Sequence, residues 1–450
     1  RARAGPASAA GAAGAAAEAE DADEDLFGTD LPDRYEQLQE GQRNHTINIF
    51  VADESGLINR VSSVFARRGY NIESLAVGLS NDRALFTVVV NGSDSMITAL
   101  CKQLRKLVKV RVVENLTPID KVEREMVLIK VRSSDVTRIE VMEIAEVFRG
   151  RVIDIAEKAI TVEVTGDPGK TQAAQQALAR FGVLEIVRTG RVALRRDLPG
   201  YEMVAASKIG INKDNPVAEG EAVSLSMLDA KDAASRRHSD AGPDDDAAAE
   251  GTGGDVYASP LDPLALDLDD SADAVRSHIL SVTVDNSAGV LNRVTAVLSR
   301  RGYNIQSLAV GPSETVGESR ITTVVPGSNS AIANLIKQIE KLINCKDVQD
   351  ITDVPCMKRE LMLIKVNCTA ASRREVMDLA EIFRARVVDT STATITMELT
   401  GKVDKMAAFQ RLLKPYGVLE VARTGIVALT RESQVDSRFL SGLKHKDRTY

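Results

Sequence analysis

The sequence predicts an α+β protein of four βαββαβ modules, arranged as two tandem repeats, and three observations carry this. First, RRGYNIESLAVG at residues 67–78 returns as RRGYNIQSLAVG at residues 300–311. Asn59–Gly78 and Asn292–Gly311 agree at 15 of 20 positions, and Phe181–Leu194 and Tyr416–Leu429 at 10 of 14. The offset is 233, becoming 235 after a two-residue insertion near Thr315-Val316, so the chain carries an internal duplication. Second, within each repeat the apolar residues alternate at period two or recur at helical spacing, in the order strand, helix, strand, strand, helix, strand, twice over. Third, an acidic, periodicity-poor stretch separates the repeats, as a linker should.

Taking the elements in order, Ile47, Ile49 and Val51 alternate as in a half-buried strand, as do Leu280, Val282 and Val284. Leu57, Ile58, Val61, Val64 and Phe65 then form one stripe of a helix, matched by Val290, Leu291, Val294, Val297 and Leu298. Gly69 and Gly302 are placed to end these helices, since glycine tolerates positive φ. Strands follow at about 71–78 and 84–90, then a helix using Met96, Ile97, Leu100, Leu104, Leu107 and Val108, then a closing strand at about 110–116. The order repeats at 124–196: the strand REMVLIKV, a helix with Val141, Ile144, Ala145 and Phe148 on one face, strands at about 151–157 and 160–165, the helix KTQAAQQALARFG and a single strand VLEIVRTGRVAL. Each repeat is therefore two ferredoxin-like modules. With both helices on one side of a four-stranded sheet, such modules are expected to pair through a sheet edge or the uncovered face.

The expected organisation is a disordered segment at 1–43, modules at 44–118 and 119–197, a flexible linker at 198–276, modules at 277–353 and 354–432, and a tail at 433–450. GYEMVAASK and DSRFLSGLK, which follow the two repeats, are candidates for local packing. Of the net charge of −7, residues 1–44 carry −6 and residues 198–276 carry −11, leaving +10 on the rest. Such mildly basic bodies can attract nucleic acid, nucleotides or an acidic protein surface, or simply present a solvated Lys/Arg-rich surface. The first 17 residues, rich in Arg and Ala and free of acids, resemble the tail of an organelle transit peptide.

Catalytic equipment is sparse. The four cysteines form no CxxC pair, and the four histidines do not cluster with other ligating residues in sequence, so no metal site is expected. No apolar run approaches a membrane span. The predicted strands are aliphatic where sheet-based RNA readout needs exposed aromatics, so nucleic acid is not expected as a partner. The loop between first strand and first helix, ADESGLINRV or DNSAGVLNRV, is the most informative. Gly56 and Gly289 stand where the helix begins, and free amides at a helix start favour a carboxylate. Asn286 offers both donor and acceptor, whereas Asp53 would accept from an ammonium and repel a carboxylate. The same loop also reads simply as a helix cap with a glycine for close packing, and Tyr70-Asn71 as a turn with a left-handed Asn.

ESGLINRV, RRGYNIESLAVG, EREMVLIKV, AEVFRGRVID and RTGRVAL together resemble the regulatory small subunit of acetolactate synthase (acetohydroxyacid synthase), in the tandem-duplicated plant and algal form. The resemblance covers each repeat from end to end. It implies that the first module of each repeat is an ACT domain, that the ACT domains pair, and that branched-chain amino acids (valine, leucine, isoleucine) bind at the interface. The implied effector residues are Asp53, Ser55, Gly56 and Leu57 with Asn286, Ala288, Gly289 and Val290. Asn71, Ile72, Asn304 and Ile305 would close each site from the opposite module. It further implies that the second modules, with Glu146, Arg149, Glu381 and Arg384, contact a catalytic subunit in a larger hetero-oligomer. Thiamine diphosphate, magnesium and FAD would belong to that subunit, none to this chain, and the compartment would be the chloroplast. A sensor of the same build acting on another enzyme is the alternative.

Overall fold

The computed structural model describes residues 42–52, 54–80, 83–196 and 275–431. Residues 1–41 of the expected disordered segment, most of the linker, the tail, GYEMVAASK and DSRFLSGLK lie outside the described residues, while Arg43, expected in that segment, opens the first strand because it pairs with Gly92.

The first module of repeat one comprises β1 (Arg43–Ala52), α1 (Leu57–Ala66), β2 (Ile72–Ser80), β3 (Arg83–Gly92), α2 (Asp94–Leu104) and β4 (Val110–Asn115). Its strands lie in the antiparallel order β4-β1-β3-β2, which buries the alternating Ile47, Ile49 and Val51 beneath α1 and α2. The start of α2 is set by Ser93, whose hydroxyl accepts from the Met96 amide at 3.4 Å. The helix ends at Leu104, so Val108, expected on its apolar face, lies beyond it and is 76% exposed. The left-handed residue after α1 is Gly69, at φ 68°. Its N–H donates to Ala66 O and that of Tyr70 to Phe65 O, which closes the helix. The left-handed Asn considered for Tyr70-Asn71 does not occur: glycine takes that position without steric cost, and Asn71 leaves the turn in ordinary conformation.

The second module comprises β5 (Lys121–Arg132), α3 (Thr137–Val147), β6 (Arg151–Ile155), β7 (Ala159–Gly166), α4 (Pro168–Ala179), β8 (Val183–Arg188) and β9 (Val192–Arg195). The single strand expected from VLEIVRTGRVAL is two strands. Gly190, at φ 75°, turns the chain between them, and β5 is long enough to pair with β8 at one end and β9 at the other.

Repeat two follows the same plan: β10 (Arg276–Asp285), α5 (Val290–Arg300), β11 (Ser307–Pro312), β12 (Glu318–Gly327), α6 (Asn329–Ile339) and β13 (Cys345–Asp350). Then come β14 (Cys356–Asn367), α7 (Arg373–Ile382), β15 (Arg386–Thr390), β16 (Thr394–Gly401), α8 (Val403–Leu413), β17 (Val418–Arg423) and β18 (Val427–Thr430). The expected α+β class and its ferredoxin-like modules hold, each second module carrying one extra strand.

Both expected modes of module pairing occur. Strands β2 and β11 pair antiparallel, with Leu75, Ala76 and Val77 opposite Val310, Ala309 and Leu308, making one eight-stranded sheet. Ala76 and Ala309 are equivalent residues, so a pseudo-twofold axis passes between them. On the helical side, α1 packs on α5, where the equivalent Ser62 and Thr295 hydroxyls lie 3.3 Å apart. The opposite face of the sheet is covered by the second modules. Ala76, Leu85 and Ala309 share one apolar cluster with Met126, Leu128, Val192, Met357, Leu361 and Val427. Burial at roughly 25 cal/mol per Å² makes such an interlayer cluster a principal source of cohesion between modules.

Candidate functional site

Two equivalent clefts, each of about 390 Å³, flank the axis on the helical side of the large sheet. Both are narrow grooves open to solvent rather than enclosed cavities. In the first, Gly56, Leu57 and Asn59 of repeat one face Thr295, Ser299, Tyr303, Asn304 and Ile305 of repeat two. In the second, Asn286, Gly289, Val290 and Asn292 of repeat two face Ser62, Ala66, Tyr70, Asn71 and Ile72 of repeat one. Each cleft thus takes its helix start from one repeat and its Tyr-Asn-Ile segment from the other. A direct bond spans the second: Asn71 Nδ2 donates to Asn286 Oδ1 at 2.9 Å.

The local chemistry follows from the helix starts. Gly56 and Gly289 are the residues preceding α1 and α5, at φ 78° and 88°. Neither helix has a side-chain cap or an acidic residue in its first turn. The Leu57 and Val290 amides turn back to Glu54 O and Ser287 O, at 3.2 and 3.3 Å, whereas the next amides, of Ile58 and Leu291, have no partner within the helix, so each cleft lies at a donor-bearing, positive end of a helix dipole. Apolar walls come from Leu57, Val77 and Phe86 in the first cleft, and from Val290, Val310 and Ile321 in the second. A carboxylate at the amides with an aliphatic side chain against these walls is the chemistry such a cleft accommodates.

The clefts are not identical. Ser299 and Ala66 are equivalent residues facing the two helix starts. A Cβ placed on Gly56 would lie 2.8 Å from Ser299 Oγ, whereas one on Gly289 would lie 3.5 Å from the Ala66 methyl. Phe86 in the first cleft corresponds to Ile321 in the second. Charges near the mouths also differ: Glu54 pairs with Lys109 at 3.5 Å, and Asp285 with Lys346 at 3.5 Å.

Of the residues expected at these sites, Gly56, Leu57, Asn304 and Ile305 line the first cleft and Asn286, Gly289, Val290, Asn71 and Ile72 the second. Ser55 and Ala288 are not among the lining residues and are exposed. Asp53 lies outside the described residues. Sequence reasoning missed Asn59 and Asn292, one turn along the helix from the glycine, which helical spacing could have flagged. It also missed Ser62, Ala66, Thr295 and Ser299, which enter only because the two helices pack together. Glu146 and Glu381 are exposed at the ends of α3 and α7. Arg149 and Arg384 do not join the effector clefts but meet each other in a third cleft, between the second modules.

The second modules are tied to the strands that form the clefts. Ser74, two residues beyond Ile72 on β2, accepts from the Arg191 amide at 2.8 Å. Its equivalent Ser307 accepts from the Ile426 amide at 2.7 Å. The turns at Thr189-Gly190 and Thr424-Gly425 therefore sit against the β2–β11 seam. Thr189 Oγ1 in turn accepts from the Met126 amide, and Thr424 Oγ1 from the Leu361 amide, both at 3.1 Å.

Among the described residues no group of three or more His, Cys, Asp or Glu is placed to hold a metal ion. No described helix is long and apolar enough to cross a membrane.

Comparison with known proteins assigns both halves of each repeat. Residues 47–112 and 280–346 match the profile described as the AHAS small subunit-like ACT domain. Residues 124–197 and 359–432 match the one described as the small subunit of acetolactate synthase. The chain is 47% identical over 417 residues to acetolactate synthase small subunit 2, chloroplastic, of Arabidopsis thaliana, covering 89% of this chain and 83% of that one. It is likewise 47% identical over 386 residues to acetolactate synthase small subunit 1, chloroplastic, of Nicotiana plumbaginifolia, covering 82% of each. To the acetolactate synthase small subunit of Aquifex aeolicus it is 46% identical over 162 residues, 36% of this chain but 84% of the bacterial one. One repeat here thus corresponds to most of a bacterial chain. With the resemblance running the length of the plant proteins and through both modules of both repeats, this chain belongs to the acetolactate synthase small subunit family.

Proposed function

We propose that this chain is a non-catalytic regulatory subunit. It binds an acetolactate synthase catalytic subunit, raises its activity, and transmits feedback inhibition by valine, leucine or isoleucine held in the two clefts. The observation that carries this reading is the construction of each cleft from both repeats, bridged in one by the Asn71–Asn286 bond. An amino acid binding there contacts both repeats at once and so responds to their relative position. Its carboxylate meets the amides of Gly56 and Ile58 or of Gly289 and Leu291, its ammonium the side chains of the loop, and its branched side chain the aliphatic wall. One methylene in such a wall is worth only about 1–3 kcal/mol, which accommodates all three amino acids.

The route outward is short. Ile72 lines the second cleft, and Ser74 on the same strand holds the Arg191 amide. A shift of β2 on binding is thereby passed to β9 and β5 of the second module, whose exposed face meets the catalytic subunit. A differential affinity for the two arrangements of about 1–3 kcal/mol is enough for such coupling. Thiamine diphosphate, magnesium and FAD reside in the catalytic partner, the assembly is a hetero-oligomer, and the compartment is the plastid, in keeping with the names of the plant relatives.

The test is pyruvate-to-acetolactate turnover by a cognate catalytic subunit with and without this chain, titrated with each branched-chain amino acid. Stimulation reversed by the amino acid is expected. No stimulation at saturating chain would remove the proposed partner, and stimulation insensitive to amino acids would remove the sensor.

A further inference from the structure

On the pseudo-twofold axis, between the second modules, lies a cleft of about 300 Å³ unlike the other two. Its lining is polar and built from equivalent residues of both repeats: Arg149 and Arg151 with Arg384 and Arg386, over Glu163 and Glu398. The glutamates do not neutralise these arginines. Glu163 is already held by Arg359 Nε at 3.0 Å and by the Thr400 hydroxyl at 3.0 Å, and Glu398 by Arg124 Nε at 2.8 Å. Both glutamates are 5% exposed, so those pairs are internal. Among the described residues the guanidiniums of Arg149, Arg151 and Arg384 make no ion pair, and Arg386 donates only to the Arg149 carbonyl, at 3.1 Å.

Two lysines add to the excess. Lys170 Nζ donates to Thr165 O at 2.8 Å and Lys405 Nζ to Thr400 O at 2.9 Å. Glycines make room for this return: a Cβ on Gly166 would lie 2.5 Å from Lys170 Cδ, and one on Gly401 2.8 Å from Lys405 Cδ. Burial lowers the pKa of both ammonium groups, and Arg386 and Arg149 lower that of Lys170 further, as Arg151 and Arg384 do that of Lys405, against the opposing fields of Glu398 and Asp167 on Lys170 and of Glu163 on Lys405.

The backbone singles out the same place. Arg149 and Arg384, at φ 47° and 51°, are the two non-glycine residues of positive φ among the described residues. Each stands just after a helix, where its N–H donates back to Glu146 O or Glu381 O. Glycine is the usual occupant of this position, and any other residue there is strained. Both repeats carry arginine, at equivalent positions that meet across the axis. A side chain held at the cost of backbone strain in both copies points to a role for the guanidinium itself.

We propose that this axial cleft binds a small phosphoryl oxyanion, either a free phosphate or pyrophosphate or the phosphoryl end of a phosphoester. Arginine forks match two phosphoryl oxygens at a time, and exposed arginines from both repeats converge on one shallow, solvent-open concavity. The bound anion compensates the like charges that the pairing of second modules brings together, so it stabilises that pairing. This site is separate from the amino-acid clefts and does not depend on the function proposed for them.

The test uses the full chain and the Arg149→Gly/Arg384→Gly double variant. Glycine suits both backbones, so the variant removes two charges while relieving strain and is expected to fold at least as stably as the parent. Calorimetric titration with inorganic phosphate, pyrophosphate and glycerol 3-phosphate, at fixed ionic strength and with citrate as the carboxylate control, reads the site. Expected is saturable binding of a phosphoryl compound, weakened about tenfold or more in the variant, with citrate inert. Preference for pyrophosphate or for glycerol 3-phosphate tells the free anion from the ester. Absent binding, or binding equal in parent and variant, overturns the proposal. So does a variant that keeps its phosphoryl affinity but loses association with a catalytic subunit, which would make these arginines protein contacts.

Discussion

At Asn286 the two repeats meet through a single amide, whose oxygen accepts from Asn71. In the amino-acid complex proposed for this cleft, the same side chain would orient the bound ammonium or carboxylate. Replacing it with alanine removes a bond worth about 0.5–1.5 kcal/mol, so Asn286→Ala is expected to weaken amino-acid binding at that cleft several-fold while leaving the other cleft intact. Calorimetric titration of the variant checks this. His45 makes a different prediction. It is fully buried, its Nε2 lies 3.0 Å from Gly92 O, and burial lowers its pKa from 6.5. The folded state then prefers the neutral ring, while the unfolded chain takes up a proton below pH 6.5. Its contribution is therefore complete above that pH and is lost as pH falls from there towards the lower folded value. Unfolding midpoints across pH 5–7.5 should show this acid-side loss, diminished in His45→Gln. At this scale the sequence was legible where site residues are neighbours along the chain. Gly56-Leu57, Gly289-Val290 and the Tyr-Asn-Ile segments could be read from their phrases. Ser62, Thr295 and Ser299 could not, because their role arises from the packing of one helix on another.

The elements themselves were legible from periodicity, and the exceptions share a cause. VLEIVRTGRVAL reads as one strand because its apolar pattern is nearly unbroken. Tertiary pairing divides it, since β5 offers two separate lengths of edge and Gly190 turns between them. That turn is also the link from the effector strand to the second module. Removing the acceptors with Ser74→Ala and Ser307→Ala should leave amino-acid affinity within about twofold, because neither hydroxyl lines a cleft, while the inhibition transmitted to the catalytic subunit falls by a larger factor. Parallel binding and turnover titrations separate the two effects. Gly190→Ala tests the turn more severely. Its added Cβ would lie 2.8 Å from Ser74 Oγ, at φ 75°. A loss of about 1–3 kcal/mol is expected in denaturant unfolding.

For the whole molecule, the duplication accounts for the architecture. One repeat presents the open edge of β2, and an unpaired edge seeks a partner. The second repeat supplies it within the same chain, and the same act assembles both clefts and the axial arginine cluster. Residues 42–196 alone are accordingly expected to form homodimers through β2, visible by sedimentation as a doubling of mass, with two copies of the Asn71 segment facing two helix starts at Gly56. Duplication was plain in the sequence, whereas the placement of the second modules beneath the shared sheet was not. Alternating strands show that one face is apolar, but they do not show what covers it. The central claim, that each effector site belongs to both repeats, is tested most directly by titrating the full chain and Asn71→Ala with valine and with leucine. Two sites of unequal affinity are expected in the parent and, in the variant, loss of the one whose helix start lies in repeat two. A variant in which both sites persist unchanged, or in which the site with its helix start in repeat one is the one lost, would contradict that claim.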